Sequence, residues 1–444
     1  MNTNVFTRDL DYELFKYFRN YSEVNFVDNQ LKQSKTTEYE GKTLRLIKDK
    51  KLALVSGTEN IPDGVLLKKG NDALPFASSA NFSFKGFEKF SQDSSSLVNE
   101  SDFIQTEKSI EHGKALLDRL SNLKEFSDFS YSMTLWSAKE AIRIGNSSFN
   151  EKEFDRSHSG FYLLTKRVMP DDILILYFVS HKFIDVSEID SWLSEIDFNR
   201  TLELSKNIVT LDTGKYPTIF HPDALMSMLI SLVKGLSMKS VYEKISPIKD
   251  KLNQPIFDER ITIIDDPTYA KGTKRALFDD EGVPCSKKKI VEDGVLKYFL
   301  TDLEYATKCG VEPTGNGFKE SIINDSKLMG AQPSIWATNL DLHALNDGPS
   351  VEDMIKDIKN GIFIHDCPDS WMGNIVSGDM SGNITQGYKI ENGKLTGRVK
   401  NKRYSGNIYN LLGSQLVTIS NEAKMAANGA DKLPYIMSND VSIT

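Results

Sequence analysis

The second half of the chain is a series of short apolar runs separated by turns that contain glycine. After Pro255 these runs read ITIID, KKKIVED, GVLKYFLTD, SIWATNLDL, GIFIHD, GYKIENGKLTG and QLVTIS. Short apolar runs that are bounded by turn residues are typical of β-strands. The pattern therefore predicts a β-rich domain in the C-terminal half.

The first half of the chain mixes predicted strands with predicted helices. Three or four strands are expected between Tyr21 and Thr58, and a second β region is expected in FSYSMTLWSAKEAIRIGNSS, FYLLTKRV and DDILILYFVSH. Apolar residues at helical spacing predict helices at Ser109–Phe126 and Ile189–Ile208. Alternating elements of this kind indicate an α/β domain.

A strand followed by an apolar helix begins the second half. Lys215–Phe220 is predicted as the strand, and His221-Pro222-Asp223 as the helix start, with Asp223 as the cap. The helix ALMSMLISLVKGL is too apolar to face water and too short to cross a membrane. It is therefore expected to be buried.

The length of 444 residues is too great for one small core, and neither an internal repeat nor a low-complexity linker is visible. We therefore expect two closely packed domains. The predicted fold is α+β, with an α/β N-terminal domain (1–214) packed on a β-rich C-terminal domain (215–444).

Charge and cysteine content restrict the class of protein. A formal net charge of −8 argues against a general nucleic-acid binder, which needs a basic face. Three cysteines in so long a chain do not form a disulfide framework. The N-terminus shows no signal-peptide pattern, and no apolar run approaches the ~18 residues that span a bilayer. The expectation is a reduced, cytoplasmic protein.

The stretch Asp265–Gly317 places a double carboxylate, an acidic turn and a Gly-Asn-Gly loop around two short apolar runs. Its segments ITIIDDP, LFDDEGVP, VEDGVLKYFLTDLEYATKCG and TGNG, with the later GIFIHDCPDSWMGNIVSGDMSGNITQGYKIENGKL, resemble the TldD/PmbA family. These are the "modulator of DNA gyrase" proteins associated with proteolysis and peptide maturation. One branch of the family carries a His-Glu-x-x-x-His zinc motif, and the other does not.

The zinc ligands of the first branch are absent from this sequence. In zinc-bearing relatives the ligands lie on the helix that follows the strand, where two imidazoles hold the metal and a carboxylate activates water. Here that helix is built from leucine, methionine, isoleucine, valine and serine residues. The relatives take a third ligand from a cysteine near the C-terminus, and no cysteine follows Cys367. The resemblance is therefore to the PmbA/TldE-like branch, and we expect no catalytic residue and no metal ligand in this chain.

The resemblance also implies partners. The family forms dimers, including mixed dimers of a zinc-bearing and a zinc-free subunit, so a homodimer or a heterodimer with a TldD-like paralogue is expected. Zinc is expected only in that paralogue, and the substrate is expected to be unfolded peptide. The N-terminus departs from the family, which usually begins with a full helix, because only the short segment Asp9–Arg19 is available for it.

Histidine and cysteine side chains are the first candidates for a binding role. His221 lies just before the apolar helix and is expected to be a cap or interface residue rather than a ligand. His365 and Cys367 lie two residues apart at a strand end, so their side chains can share one face. A nucleophile pair or half a metal site is the functional interpretation, and a buried cysteine beside a polar histidine is the structural one.

Turn residues are the second set of candidates for peptide or interface binding. They comprise Asp279, Asp280, Glu281, Thr314, Gly315, Asn316 and Gly317. Carboxylates at turns can hold Mg²⁺ or Ca²⁺, or they can bond their own backbone, which we favour. The glycine loop has no following Lys-Ser/Thr and is expected to allow close backbone approach between domains or to an extended peptide.

We therefore predict a PmbA/TldE-like non-catalytic subunit of a TldD/PmbA-type metalloprotease. Two alternatives stay open on the sequence. One is a stand-alone homodimeric protein that binds peptides without a protease. The other is a peptidase with an unrecognised site around His365, Cys367 and the carboxylates at 279–281.

Overall fold

The structure is a computed structural model that describes residues 6, 10–84, 103–148, 151–320, 327 and 329–444. Across these residues the chain forms a mixed α+β fold with two large sheets, which confirms the predicted fold class. Among the helices within the described ranges, none combines the length and apolar composition needed to cross a bilayer.

The first sheet is an antiparallel sheet of seven strands. They are β1 (Asp11–Val27), β2 (Gln30–Lys48), β3 (Lys51–Gly57), β4 (Ser78–Ser79), β5 (Phe129–Asn146), β6 (Lys152–Met169) and β7 (Asp172–Ser180). The strand order is β4-β3-β2-β1-β5-β6-β7. Asp28–Asn29 and Asp49–Lys50 form the tight turns of the first two hairpins, and all four residues have positive φ. Two-residue hairpins favour this conformation because its twist matches that of the strands.

The second sheet has thirteen strands and comes almost entirely from residues after 213. Its strands are β8 (Ile208–Val209), β9 (Gly214–Phe220), β10 (Ile263–Asp265), β11 (Lys288–Glu292), β12 (Val295–Leu296), β15 (Leu340–Leu342), β16 (Asn360–Asp366), β17 (Asp379–Asn383), β18 (Gln386–Glu391), β19 (Lys394–Val399), β20 (Arg403–Asn407), β21 (Leu416–Met425) and β22 (Lys432–Ile443). A separate pair joins β13 (Gly317–Phe318) to β14 (Ser334–Ile335). The central order is β15-β22-β9-β16-β18, in which β9 and β16 run parallel.

Helices cover both sheets. The first half contributes α1 (Asp63–Ala73), α2 (Thr106–Ser121), α3 (Ile189–Glu195) and α4 (Phe198–Lys206). The second half contributes α5 (Pro222–Leu236), α6 (Met238–Tyr242), α7 (Leu303–Cys309), α8 (Val351–Lys356) and α9 (Ile408–Leu411). The predicted apolar helix is α5, and most of its side chains are buried in the core of the second sheet. This burial explains a composition without a polar face.

One apolar cluster joins the two halves of the chain. It combines Phe15, Tyr17, Ile142, Ile144 and Phe154 of the first sheet with Ala276, Phe278, Cys285, Phe318 and Met329 of the second half. The rings of Phe154 and Phe278 meet edge to face with centroids 4.9 Å apart. The two halves are therefore packed through a shared core rather than joined by a free linker.

Two predicted helical segments are wrong in detail. The single helix predicted at Ile189–Ile208 is divided into α3 and α4, because Asp197 adopts a left-handed conformation with φ of 51°. The short helix predicted at Asp9–Arg19 is not found in the described part of that segment, residues 10–19. Asp9 lies outside the described residues, and from Asp11 onward the chain is β1, the central strand of the first sheet.

Candidate functional site

A cavity of about 370 Å³ is enclosed by both halves of the chain. The first half lines it with Trp136, Arg156, His158, Tyr162 and His181, and α5 lines it with Met226, Leu229, Ile230 and Val233. The remaining wall consists of Thr273, Lys274, Glu320, Trp336, Ala337, Thr338, Leu340, Ala427, Asn428 and Asp431. A cleft that combines apolar side chains with converging polar groups is the usual form of a binding site.

The position of α5 follows from its N-terminal sequence. His221 is the N-cap, because its Nδ1 accepts a hydrogen bond from the backbone N–H of Asp223 at 3.2 Å. The prediction of Asp223 as the cap is wrong, since that residue lies in the first turn. Pro222 occupies the first helical position, where its missing N–H costs nothing. From this start, Met226 and Ile230 lie one turn apart and both reach the cavity.

Aromatic side chains form the wall opposite α5. The rings of Trp136 and Tyr162 stack with centroids 4.5 Å apart, and the ring of His181 meets Trp136 edge to face at 5.5 Å. Gly160, directly across from Trp136 on β6, leaves room for this stack. A Cβ at Gly160 would stand 2.6 Å from the Trp136 ring and 2.1 Å from the carbonyl oxygen of Ser180. The glycine therefore shapes this wall of the cavity.

Charged groups of both signs occupy one end of the cavity. Lys274 Nζ lies 3.7 Å from Glu320 Oε2. Burial opposes ionisation of Glu320, but Lys327, Lys274 and Arg156 outweigh it and lower the pKa of this carboxyl to about 2. Burial raises the pKa of Asp431 above its ordinary value, although its oxygens accept hydrogen bonds from Leu340 N and Asn428 Nδ2. The polar end thus offers both cationic and acceptor groups to a ligand.

The cavity wall does not fit a zinc ion. The side chains of α5 that face it are one methionine, one leucine, one isoleucine and one valine. None of these is a zinc ligand. Within the described ranges, one group of three ligand atoms lies within 4.8 Å, formed by His221, Asp223 and His365. None of these three residues lines the cavity.

The acidic turn lies in the packing between the two halves. Asp279, Asp280 and Glu281 are buried, with 2% or less of each residue exposed. Asp279 accepts hydrogen bonds from three backbone N–H groups, at distances of 2.8–3.0 Å. Asp280 pairs with Lys327 at 2.9 Å, and Glu281 pairs with Arg45 of β2 at 2.8 Å. These carboxylates therefore bind groups of the protein itself, and contact with a peptide stays a prediction.

The glycine loop completes the same network. Gly315 has φ of +69°, and a Cβ there would stand 2.5 Å from the Pro284 carbonyl oxygen, so only glycine fits without strain. Asn316 Nδ2 donates to Asp265 Oδ2 at 2.9 Å and to the carbonyl oxygen of Trp336 at 2.8 Å. The hydroxyl of Thr314 bonds the backbone of Thr301. Since Trp336 lines the cavity, the loop supports that wall from behind.

Gly317 of the same loop also belongs to this hydrogen-bond network. Its backbone N–H donates to Asp279 Oδ2 at 2.8 Å, and a Cβ at this position would stand 2.4 Å from Glu281 Oε2. The glycine backbone thus approaches the acidic turn, which lies in the same C-terminal half, and the predicted approach of this loop between domains is not what these contacts show. Its alternative role, approach to an extended peptide, stays a prediction.

His365 and Cys367 have different surroundings. The ring of His365 faces His221, with ring centroids 3.9 Å apart, and its Nδ1 lies 2.8 Å from Gln386 Nε2. The thiol of Cys367 is buried against Ser370 and the carbonyl oxygen of Ala224. Burial raises the pKa of the Cys367 thiol far above its ordinary value, which disfavours the thiolate that a nucleophile requires.

The structure brings His221 and His365 together with Asp223, a residue that the sequence analysis did not place in any site. Burial and, to a smaller extent, the nearby His365 lower the pKa of His221 to about 4. Burial opposes ionisation of Asp223, but the two histidines lower the pKa of its carboxyl overall. The His-x-Asp spacing of residues 221–223 could have indicated this group in the sequence. The second histidine, His365, lies 142 positions after Asp223, so no local pattern joins it to the pair.

Comparisons with known proteins give a consistent result. Residues 213–444 match the family model described as the PmbA/TldA metallopeptidase C-terminal domain. A Methanocaldococcus jannaschii protein named a metalloprotease is 31% identical over 221 residues, which are 48% of this chain and 45% of the relative. Metalloprotease PmbA of Escherichia coli O157:H7 is 26% identical over 218 residues, which are 49% of this chain and 44% of the relative. The chain spans about half the length of the curated relatives it matches.

A solved structure extends the similarity to the first half of the chain. The crystal structure of TldE from Thermococcus kodakarensis has a TM-score of 0.80, with 98% of this chain and 96% of that chain covered. The sequence identity is 19%, so this likeness concerns the fold alone.

Proposed function

Because the chain belongs to the PmbA/TldD metallopeptidase family, we propose that it is a PmbA/TldE-like, non-catalytic subunit that holds unfolded peptide for a zinc-bearing partner. In this proposal the interdomain cavity receives side chains of the peptide. Hydrolysis and the maturation of the peptide depend on the zinc of the partner. No catalytic residue is assigned to this chain.

The observation that carries the proposal is the apolar wall formed by α5. In zinc-bearing relatives, as the resemblance implies, the helix that corresponds to α5 carries the metal ligands. Here Met226, Leu229 and Ile230 face the cavity, so this wall packs against apolar groups and cannot hold the metal there. Burying a single large apolar side chain contributes about 1.5–3 kcal/mol, which supports a role in binding.

An open strand edge next to the cavity supports an extended ligand. In the described part of the first sheet, β7 is the terminal strand and pairs on one side only, with β6. It ends at Ser180, directly before His181 of the cavity wall. An extended peptide can add to such an edge through its backbone, whereas a folded protein whose strand edges are covered has no free strand to add. The proposed substrate is therefore unfolded peptide.

An exposed apolar surface supports the proposed assembly. On one face of β6 and β7 the residues Val168, Ile173 and Tyr177 are 66%, 59% and 59% exposed. Val168 and Ile173 are opposite each other in the strand pair. Contiguous exposed apolar residues mark interaction surfaces. We propose that a dimer partner, either a zinc-bearing paralogue or a second copy of this chain, covers this face.

Charge and cysteine state complete the proposal. The net charge of −8 supports a protein without a nucleic-acid partner. Cys285, Cys309 and Cys367 are all free thiols in the structure, which supports a reducing, cytoplasmic setting.

Peptide binding without metal tests the proposal. We expect a fluorescently labelled unstructured peptide to bind the purified chain saturably in the presence of a chelator, because the apolar α5 wall of the cavity and the β7 edge need no metal. Fluorescence anisotropy measures the binding, with a folded protein of similar size as the competitor that should fail to displace the peptide. Loss of binding in the chelator, or equal displacement by the folded competitor, would contradict the proposal.

A further inference from the structure

Two histidines meet at the ends of neighbouring parallel strands. In the pairing of β9 with β16, Phe220 is the partner of Ile364, so His221 and His365 both follow directly after paired residues. Their rings are consequently side by side, with centroids 3.9 Å apart and planes inclined by 33°. Asp223 reaches the same point from the first turn of α5. Three potential ligands thus converge from three elements of the rigid core.

The distances within this group fit a shared metal ion. His221 Nδ1 lies 3.4 Å and His365 Nε2 lies 3.6 Å from the same carboxylate oxygen, Oδ2 of Asp223. Both distances exceed the 2.7–3.2 Å of a normal N–H···O hydrogen bond. They are close to the ~3.4 Å that separates two ligand atoms of a tetrahedral zinc ion with bonds of about 2.0–2.1 Å.

Outer contacts hold the three side chains in place. Asp223 Oδ1 accepts a hydrogen bond from Ala427 N at 2.7 Å, which leaves Oδ2 turned toward the histidines. The amide of Gln386 lies 2.8 Å from His365 Nδ1 and 3.0 Å from the hydroxyl of Tyr388. The structure places the amide nitrogen of Gln386 on this side. With the amide turned over, its oxygen accepts from His365 Nδ1–H, and the lone pair of His365 Nε2 is then directed at Asp223. Outer partners of this type are a regular feature of metal-binding histidines.

We propose that His221, Asp223 and His365 form a binding site for a divalent transition-metal ion, best matched by Zn²⁺. Two imidazoles and one carboxylate are typical zinc ligands, whereas Mg²⁺ and Ca²⁺ prefer oxygen ligands alone. The three side chains are 14%, 23% and 17% exposed, so an ion can enter from solvent. Three protein ligands leave a fourth position for water or for a group of a partner.

The proposed metal site departs from the expectation of no metal ligand in this chain, and it is separate from the proposed function of the cavity. The ion would replace the hydrogen bond between His221 Nδ1 and Asp223 N, and would join the start of α5 to β16. None of its ligands lines the cavity, so the apolar side chains of α5 that face the cavity are the same with or without the ion. Failure of the metal site would leave peptide binding in a chelator unchanged, so the two proposals fail independently.

Titration of the full chain with metal tests this inference. After removal of metal with a chelator and dialysis, Zn²⁺ added alone should bind at one ion per chain in isothermal titration calorimetry. Co²⁺ should give the intense visible absorption of a four-coordinate ion. The substitutions His221→Asn, Asp223→Asn and His365→Gln should each weaken Zn²⁺ binding at least about 100-fold. Asparagine at 221 keeps a good N-cap, and asparagine at 223 keeps an acceptor for Ala427 N, so these variants should fold.

The matched control is His343→Gln. His343 lies 3.8 Å from Asp341 and is 46% exposed, so it has a carboxylate neighbour without a second histidine ligand. Zn²⁺ affinity should be unchanged in this variant, and a Zn²⁺-induced rise in Tm should occur in the wild type and in His343→Gln but not in His365→Gln. Absence of Zn²⁺ binding by the wild type, or affinities of the three ligand variants equal to that of the wild type, would overturn the inference.

Discussion

Replacing Arg45 with methionine should lower the free energy of unfolding by about 3–5 kcal/mol, because it removes the ion-pair partner of two buried carboxylates. The guanidinium is 2% exposed and is paired with both Glu13 and Glu281. Arg45 Nε donates to Glu13 Oε1 at 2.8 Å. Burial already raises the pKa of Glu13 despite the presence of Arg45. Without the cation, the two acids face each other in the packing between the halves.

Urea unfolding, followed by circular dichroism, measures this effect. The matched control is Arg143→Met in the same sheet, since Arg143 pairs with Glu153 at 2.9 Å while both side chains are more than half exposed. An exposed pair contributes about 0–1 kcal/mol, so the control should unfold near the wild type. Equal losses of unfolding free energy in the two variants would show that the ion pairs of Arg45 with Glu13 and Glu281 do not stabilise the packing between the halves.

Replacing Ile230 with aspartate should weaken peptide binding by about 10–100-fold, which corresponds to about 1.4–2.8 kcal/mol. Ile230 lies on the cavity-facing side of α5 and is only partly buried by the protein, so its side chain is available to a ligand. A carboxylate there removes the apolar contact and must lose its hydration when the peptide binds. Anisotropy titration in a chelator measures the change.

The control for this substitution is Ile245→Asp. Ile245 is 52% exposed and lies outside the cavity lining, so the same change of side chain should leave peptide affinity within about twofold of the wild type. Equal loss of affinity in both variants, or none in Ile230→Asp, would mean that the peptide does not contact α5. Circular dichroism of both variants separates loss of binding from loss of folding.

The elements predicted from the sequence are those with a strong local pattern. Most of the short apolar runs after Pro255, the strands after Tyr21 and the apolar helix α5 occur in the structure, but GVLKYFLTD contributes only the two residues of β12, and SIWATNLDL is divided into β14 and β15. The family pattern predicts a short helix at Asp9–Arg19, whereas the residues from Asp11 onward form β1. The break at Asp197 depends on one left-handed residue, which apolar spacing does not reveal.

The candidate site was less predictable because it depends on contacts between distant segments. The acidic turn at 279–281 is visible in the sequence, but its partner Arg45 is more than 230 positions away. Likewise, the meeting of His221 with His365 follows from the parallel register of β9 and β16, which no local pattern specifies. The cavity itself requires side chains from both halves. The family resemblance indicated the type of protein but not these pairings.

Cleavage of an unstructured peptide is the most direct test of the proposed division of roles. The measurement compares this chain alone, its His-Glu-x-x-x-His paralogue alone and the two mixed, each with and without chelator. The account predicts cleavage in the mixture, lost in the chelator, and none by this chain alone even with Zn²⁺ added. Cleavage by this chain alone would contradict the account, because it would show that this chain has a catalytic site of its own, either in the cavity or at the group His221, Asp223 and His365.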